Sequence, residues 1–425
     1  MRLAILSLSL CLALSTCSPR AAERCADTWT RQTFQDAFTP ATGVNIHFTD
    51  PQPGEVKMIA EAGFRWVRMD FKWDATEYER GHYDFSAYDR LMTELKAHGI
   101  RAFFILDYGN PLYDNGAPPR TEAAQQAFVL WSVAAAKHFA GRGVLWEIYN
   151  EPNHQLFWPP RPNVNEYVAL ALAVGRAWRV EVPNEKLIGP ATSGLEFSFL
   201  EACFKAGLLE YWSAVSVHPY RETNPEIVAE EYCLLRQTIA RYRQPKDSGL
   251  PIVSGEWGYS SVWRGMNEQI QGELLARQFL TNVANGIPIS IWYDWRDDGP
   301  NPREPEHHFG LVRNSYHPGR APIYDLKPAY VAAKTLNAFL DGYSFERRIA
   351  VGSDNDYVLL FSRGGESRIA AWTSLPVTHR VAVPGITGSF AAIRYSSEAL
   401  PAQISNQQGL TLELSSAPIY LTSRR

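Results

Sequence analysis

The chain has few cysteines, no dominant charge and, past its first residues, no long apolar run. Each shortage excludes something. Five cysteines in 425 residues, none in a Cys-x-x-Cys spacing, leave no zinc ribbon and no dithiol redox motif. Forty-one basic residues against 45 acidic give a formal net charge of −4, which does not suit a chain steered onto nucleic acid or anionic lipid. No later apolar stretch reaches the roughly 18 residues that a membrane-spanning helix needs. What is present is a hydrophobic fraction of 45%, ample for a packed core and too high for disorder. The length suits one large unit of about 250 residues or more and a small second one.

The N-terminus is the exception to the missing apolar runs. Met1-Arg2 is a short basic start, and Leu3 to Leu14 is apolar apart from Ser7 and Ser9. The run is too short to span a bilayer and has the form of a secretory signal, here residues 1–24. Leu14-Ser15-Thr16-Cys17 resembles a bacterial lipoprotein cleavage box, with Thr where a smaller residue is usual. Two readings stand: a lipid anchor at Cys17, or ordinary cleavage before about residue 25. Both place the mature chain outside the cytoplasm, as a periplasmic, secreted or membrane-tethered protein. Removal of the signal leaves Cys25, Cys203 and Cys233. A Cys203–Cys233 pair is open in an oxidising compartment, and buried free thiols are the preferred reading.

A helix-glycine-strand pattern recurs through the middle of the chain. Glu61-Ala62-Gly63 leads into Phe64 to Arg68, Ala97-His98-Gly99 into Ile100 to Leu106, Gly141-Arg142-Gly143 into Val144 to Tyr149, and Ala284-Asn285-Gly286 into Ile287 to Trp292. A glycine just past a helix takes the left-handed conformation that ends it. A short apolar run directly after it reads as a buried strand. Eight such runs occur, at 43–48, 64–70, 101–107, 144–150, 187–192, 213–218, 250–256 and 287–294. Each gap leaves room for a crossover helix, the last helix being Pro328 to Leu340. The pattern predicts an α/β fold, a closed (β/α)8 TIM barrel over residues 25–341. From 342 to 425 the chain turns to short strands and turn clusters, which predicts a small antiparallel β-sandwich.

In such a barrel the chemistry sits where strands end at their C-terminal side. The residues closing the runs are His47; Arg68, Asp70 and Lys72; Asp107 and Tyr108; Asn150-Glu151-Pro152; His218-Pro219-Tyr220; Glu256-Trp257; and Trp292-Tyr293-Asp294. Two carboxylates across one mouth suit the cleavage of a glycosidic bond, since one must protonate the leaving oxygen and the other must stabilise or attack the sugar carbon. Glu151 and Glu256 are that pair. The chain is also rich in aromatic residues, with 13 Trp, 20 Tyr and 20 Phe. Such a load serves either as core or as faces on which pyranose rings stack.

At these residues the sequence resembles clan A of the glycoside hydrolases. Asn150-Glu151-Pro152 and Gly255-Glu256-Trp257-Gly258-Tyr259 match the clan's strand-four and strand-seven motifs. Gly43-Val44-Asn45-Ile46-His47, Tyr293 to Gly299, Glu306 to Val312 and Leu326 to Tyr330 resemble the bacterial family 39 relatives that cut exopolysaccharides, with family 5 nearby. Asp107-Tyr108 stands where family 5 has a histidine, which speaks against close membership of that family. The resemblance implies Glu151 as acid/base and Glu256 as nucleophile of a retaining double displacement, with no metal or cofactor. It implies that Arg68 holds the nucleophile, Asn150 binds the sugar 2-hydroxyl, His218 and Tyr220 form the strand-six pair, and Trp292 is the aromatic floor. His47 and Asp294 are further candidates for substrate contact.

Trp158 and Trp263, with Trp73 and Tyr113, lie on loops after strands and are candidates for sugar platforms, loop packing being the alternative. They favour an endo-acting enzyme on a β-linked polysaccharide, expected to work as a monomer. An exo-acting β-xylosidase-type enzyme and a barrel that binds glycan without cleaving it are the rivals. His307-His308 reads as loop or substrate contact, because adjacent histidines rarely face one ion.

Overall fold

Each of the eight apolar runs becomes a parallel strand. A computed structural model describes residues 41–243, 249–405 and 409–424; the signal segment, Cys17 and Cys25 lie outside the described residues. The strands are β1 (Ala41–Asn45), β2 (Trp66–Lys72), β3 (Arg101–Asp107), β4 (Leu145–Ile148), β5 (Lys186–Ser193), β6 (Val215–His218), β7 (Ile252–Trp257) and β8 (Ile289–Trp292). They pair in sequence order, and β1 closes on β8 through Ala41↔Ile289 to Val44↔Trp292. The helices between and after them are α1 (Glu55–Glu61), α2 (Ser86–Ala97), α3 (Glu122–His138), α4 (Val164–Glu181), α5 (Phe197–Lys205), α6 (Val228–Tyr242), α7 (Glu268–Ala284) and α8 (Pro328–Leu340).

Local chemistry explains the joints. Gly63, Gly99 and Gly286 follow α1, α2 and α7 with φ of 86°, 69° and 63°, the left-handed stop that glycine adopts without a Cβ penalty. Thr121, Asn163 and Asn267 cap α3, α4 and α7 by accepting backbone N–H groups, which satisfies donors that the helix leaves orphaned.

Strand alternation sends one set of side chains inward. Trp66, Phe103, Leu145, Ile188, Val253, Ile289 and Ile291 fill the lower barrel with a dry apolar layer. Above it the inward positions turn polar: Asn45, Arg68, Glu147, Ser216 and His218 are all buried. Outward side chains pack against the helices in one continuous core.

The chain changes character between Leu340 and Ser344. Strands β9 (Ser344–Arg348), β10 (Asp356–Arg363), β11 (Glu366–Thr373), β13 (Ser389–Arg394), β14 (Ala399–Ile404) and β16 (Ile419–Ser423) form a six-stranded sheet, ordered β14-β13-β16-β11-β10-β9. β12 (His379–Val383) and β15 (Leu410–Leu414) pair as a separate ribbon. The antiparallel sandwich is therefore present. Its inner core joins Val358, Leu360 and Ile369 to Val381, Val383, Leu410 and Leu412. The other face of the large sheet, with Phe361, Trp372 and Tyr420, belongs to the barrel's core. Tyr420 stacks on Phe339 of α8 at 4.6 Å, and Trp372 Nε1 donates to buried Glu226 Oε1 at 2.6 Å.

Cys203 is a free, buried thiol, so it does not pair with Cys233. Cys233, expected to be free as well, is disulfide-bonded.

Candidate active site

Arg68 organises the mouth of the barrel. It is fully buried on β2, and burial works against its charge, yet Glu147 and Glu256 hold it ionised. Its Nε and Nη2 donate to Glu147 Oε2 at 2.9 and 2.5 Å, its Nη1 to Glu256 Oε2 at 2.6 Å, and its Nη2 also to Asn150 Oδ1 at 2.9 Å. A guanidinium offers five donors in a fixed fork, so one side chain orients three neighbours at once.

Glu256, on β7, receives two further donors: Tyr220 OH reaches its Oε1 at 2.8 Å and Asn45 Nδ2 its Oε2 at 3.3 Å. Burial holds the Tyr220 phenol well above its ordinary range, so the hydroxyl keeps its proton and donates. Three donors thus converge on this one carboxylate.

Glu151 has a different environment. It is 7% exposed, and burial pushes its carboxyl up to about 7. His218 lies at 2.9 Å through Nδ1, and its Nε2 lies 3.1 Å from Arg68 Nη2. The arginine can only donate, so Nε2 accepts and Nδ1 carries the proton toward Glu151. Burial and Arg68 hold His218 down at about 4, which agrees with a neutral ring. One oxygen of Glu151, one ring nitrogen of His218 and one oxygen of Glu256 lie within 4.8 Å of one another. The backbone is bent to place them: Tyr149 and Glu151 have φ of 65° and 42°, a left-handed strain of the kind that gathers at functional sites.

His47 and Asp294 meet beside this pair, Nε2 to Oδ2 at 3.2 Å. Asp294 pushes His47 up to about 9, so the ring is charged at neutral pH. His47, Asp294 and Asp298 also bring one donor atom each within 4.8 Å. Within these clusters the bonded contacts are His218 to Glu151 and His47 to Asp294. His307 and His308 bind the loop instead, through Asn301 N and Asn301 O.

The structure brings together Arg68, Asn150, Glu151, His218, Tyr220 and Glu256, with His47 and Asp294 alongside. It does not offer the expected platforms. Trp158 is fully buried, its Nε1 donating to Glu166 Oε2 at 2.9 Å. Trp73 is fully buried as well, with Tyr113 stacked on it at 4.9 Å. Trp263 is half-buried, edge-on to Phe309. Trp292 has no exposed face: it points outward to Tyr259, and its Nε1 donates to Phe309 O at 3.1 Å. The aromatic that enters the mouth is its neighbour Tyr293, whose ring meets His47 at 5.7 Å. The signal was strand parity, since Ile289 and Ile291 face inward and Tyr293 follows in step. Glu147 was also missed. A glutamate inside the apolar run Leu145-Trp146-Glu147-Ile148 needs a buried partner, and Arg68 supplies it. The motif from Trp295 to Gly299 is an anchor, with Trp295 bonded to Glu55 and Asp297 to Lys327 at 2.8 Å.

The family model described as Cellulase (glycosyl hydrolase family 5) matches residues 35–298, more than half of the chain. The chain belongs to this family. The departure at Asp107-Tyr108 does not keep the family 5 model from matching, and the expected clan A likeness, most to family 39, holds. It is a glycosidase acting on O-glycosyl compounds, and its clan works with retention. A family 39 glycoside hydrolase from the gut symbiont Bacteroides cellulosilyticus WH2 matches with a TM-score of 0.76 and 25% identity, covering 92% of this chain and 82% of its own. A family 39 β-xylosidase from Caulobacter crescentus matches with a TM-score of 0.65 and 17% identity, over 93% and 98%. A family 30 endoxylanase from Clostridium papyrosolvens C71 matches with a TM-score of 0.66 and 13% identity, over 91% and 97%. No curated protein matches the chain by sequence. Among the described residues no helix is long and apolar enough to cross a membrane.

Proposed function

We propose that this glycosidase cuts a β-linked polysaccharide by double displacement, with Glu256 as nucleophile and Glu151 as acid/base. The supporting observation is the contrast between two neighbouring carboxyls. Glu256 is gripped by Arg68, Tyr220 and Asn45, which suits an anion. Glu151 is buried and pushed up to about 7, which suits an acid that still holds its proton. Opposed environments of this kind divide the two roles. In the first step Glu256 forms a bond to the anomeric carbon while the glycosidic C–O bond breaks and the departing oxygen takes the Glu151 proton. In the second, Glu151 takes a proton from water, the oxygen of that water bonds to the anomeric carbon, and Glu256 leaves as carboxylate. Asn150 Oδ1 is occupied by Arg68, so its amide N–H groups are left for the sugar 2-hydroxyl.

The same reading makes the enzyme endo-acting, exported by its leader segment and monomeric. Exposed apolar side chains on loops from different sides of the mouth support a long substrate: Tyr78 after β2 and Leu156 after β4. Two variants and product sizing test the reading. Glu256→Ala abolishes turnover of every substrate. Glu151→Ala keeps measurable activity on dinitrophenyl glycosides, which need little acid help, and azide partly restores it. Mixed oligosaccharides appear in the first minutes of digestion. Equal responses of both variants to leaving-group pKa contradict the roles, and monosaccharide alone from the start points to an exo-acting enzyme.

A further inference from the structure

We infer that Glu147 is a positioning residue that takes up part of the Arg68 charge, and so leaves Glu256 free to react in the step that bonds it to the sugar. The inference rests on the double-displacement reading and adds to it a residue that touches no substrate.

Glu147 lies one inward step above Leu145 on β4. Leu145 belongs to the dry apolar layer, so parity turns Glu147 inward as well. Its side chain has no exposed surface, and neither has that of Arg68. A substrate in the mouth therefore does not reach it. All of its bonding goes through one oxygen: Oε2 accepts from Arg68 Nε at 2.9 Å and from Arg68 Nη2 at 2.5 Å. Its Oε1 receives no donor among the described residues. The remaining arm of the same guanidinium, Nη1, reaches Glu256 Oε2 at 2.6 Å. One cation thus stands between two carboxylates, and among the described residues no other cation is paired with either. The other positive charges of the mouth are engaged elsewhere, His47 with Asp294 at 3.2 Å and Lys72 with Asp70 at 3.9 Å.

An amide oxygen could also accept the two Arg68 donors. A carboxylate does more, because it offsets part of the cation's charge. Stability alone gives little reason for it, since a buried ion pair is a weak stabiliser once both charges have lost their water. The consequence falls on Glu256. In the first step Glu256 gives up negative charge as its bond to the anomeric carbon forms, and an unshared arginine charge beside it would oppose that change. In the second step Glu256 departs as carboxylate, and the same unshared charge would help it leave. The sugar carbon gains positive charge in both steps, which loss of the Glu147 charge disfavours in both. The two effects add in the first step and offset each other in the second. Without its charge at Glu147 the enzyme forms the glycosyl ester more slowly and hydrolyses it at nearly the same rate.

The test reads the two steps apart on full-length enzyme, with activated 2-deoxy-2-fluoro glycosides of xylobiose, cellobiose, mannobiose and galactobiose. The rate at which activity is lost reports the first step, and the rate at which it returns after the reagent is removed reports the second. Glu147→Gln keeps an acceptor for Arg68 and removes the charge. It slows the first step at least about 10-fold and leaves the second within about threefold of wild type. Glu147→Asp keeps the charge but draws it back from the guanidinium, and gives the same split at smaller size. A merely structural role would lower the melting temperature and slow both steps alike. Equal slowing of both steps, a second step slowed more than the first, or no change in either overturns the inference and leaves the glycosidase reading intact. If Glu147→Gln does not fold, the same outcomes are read from Glu147→Asp, and failure of both to fold makes the residue a structural one and overturns the inference. Wild type that none of these reagents inactivates, or release of reducing ends that survives Glu256→Ala, overturns the parent reading and this one with it.

Discussion

One buried arginine connects most of the side chains of the candidate site. Arg68 touches Glu147, Asn150 and Glu256 directly, and its Nη2 sets the tautomer of His218. Through that tautomer Glu151 faces an N–H and not a lone pair. The pH dependence follows. On the proposed roles Glu151 must be protonated when the bond breaks, and burial pushes its carboxyl up to about 7. The working form is therefore present below that value and lost above it. We expect kcat/KM for natural glycans to fall about tenfold per pH unit on the alkaline side of roughly 7. The fall disappears for substrates with dinitrophenyl leaving groups. An alkaline limb that persists for both substrate types would assign it to another group. The placement of both glutamates at the barrel mouth was legible in the sequence, because each closes an apolar strand and a strand end is where a carboxylate has to find work. The indoles were not legible in the same way. Trp73 and Trp158 follow strands as platforms would, but each is claimed by a glutamate a few residues further along, Glu77 or Glu166, and residue types alone do not distinguish such a pairing from an exposed platform.

The elements themselves were easy to read for a physical reason. A parallel strand in a closed barrel is covered on both sides, so its apolar run is continuous and its boundaries are sharp. All eight runs became strands in the expected order, and the final helix spans Pro328–Leu340 as expected. What the runs did not reveal was where the end of β7 must yield to its neighbours. A Cβ on Gly255 would lie 2.5 Å from Ser216 Oγ and 3.1 Å from Glu147 Oε1. A Cβ on Gly258 would lie 1.9 Å from the backbone oxygen of Tyr293. That contact can be relieved only by moving the strand or the loop after β8, which carries Tyr293 and Asp294. Gly258→Ala is expected to lower stability by about 1–3 kcal/mol and to reduce kcat/KM on glycans by displacing Tyr293. Denaturant titration and steady-state kinetics check it; a variant with wild-type values for both would remove the proposed tie between the end of β7 and the loop after β8.

At the scale of the molecule, the small sheet is part of the barrel's support. One face closes the sandwich and the other merges with the barrel core through Phe361, Trp372 and Tyr420. Trp372 also satisfies Glu226, which is buried and held by Arg277 at 2.7 and 2.8 Å. Trp372→Ala removes a large buried ring and a donor together, and we expect a loss of about 3–5 kcal/mol. Thermal unfolding should still show one transition reported alike by barrel and sheet. Two separated transitions would mean that the sheet is an independent passenger.

The central claim is the assignment of Glu256, and its most direct test is to trap the intermediate. Activated 2-deoxy-2-fluoro glycosides of xylobiose and cellobiose slow the second step more than they slow loading, so an ester on the nucleophile accumulates. Mass spectrometry after proteolysis should place the sugar on the peptide that contains Glu256, and Glu256→Ala should carry none. An adduct on Glu151, Glu147 or Asp70 would contradict the account.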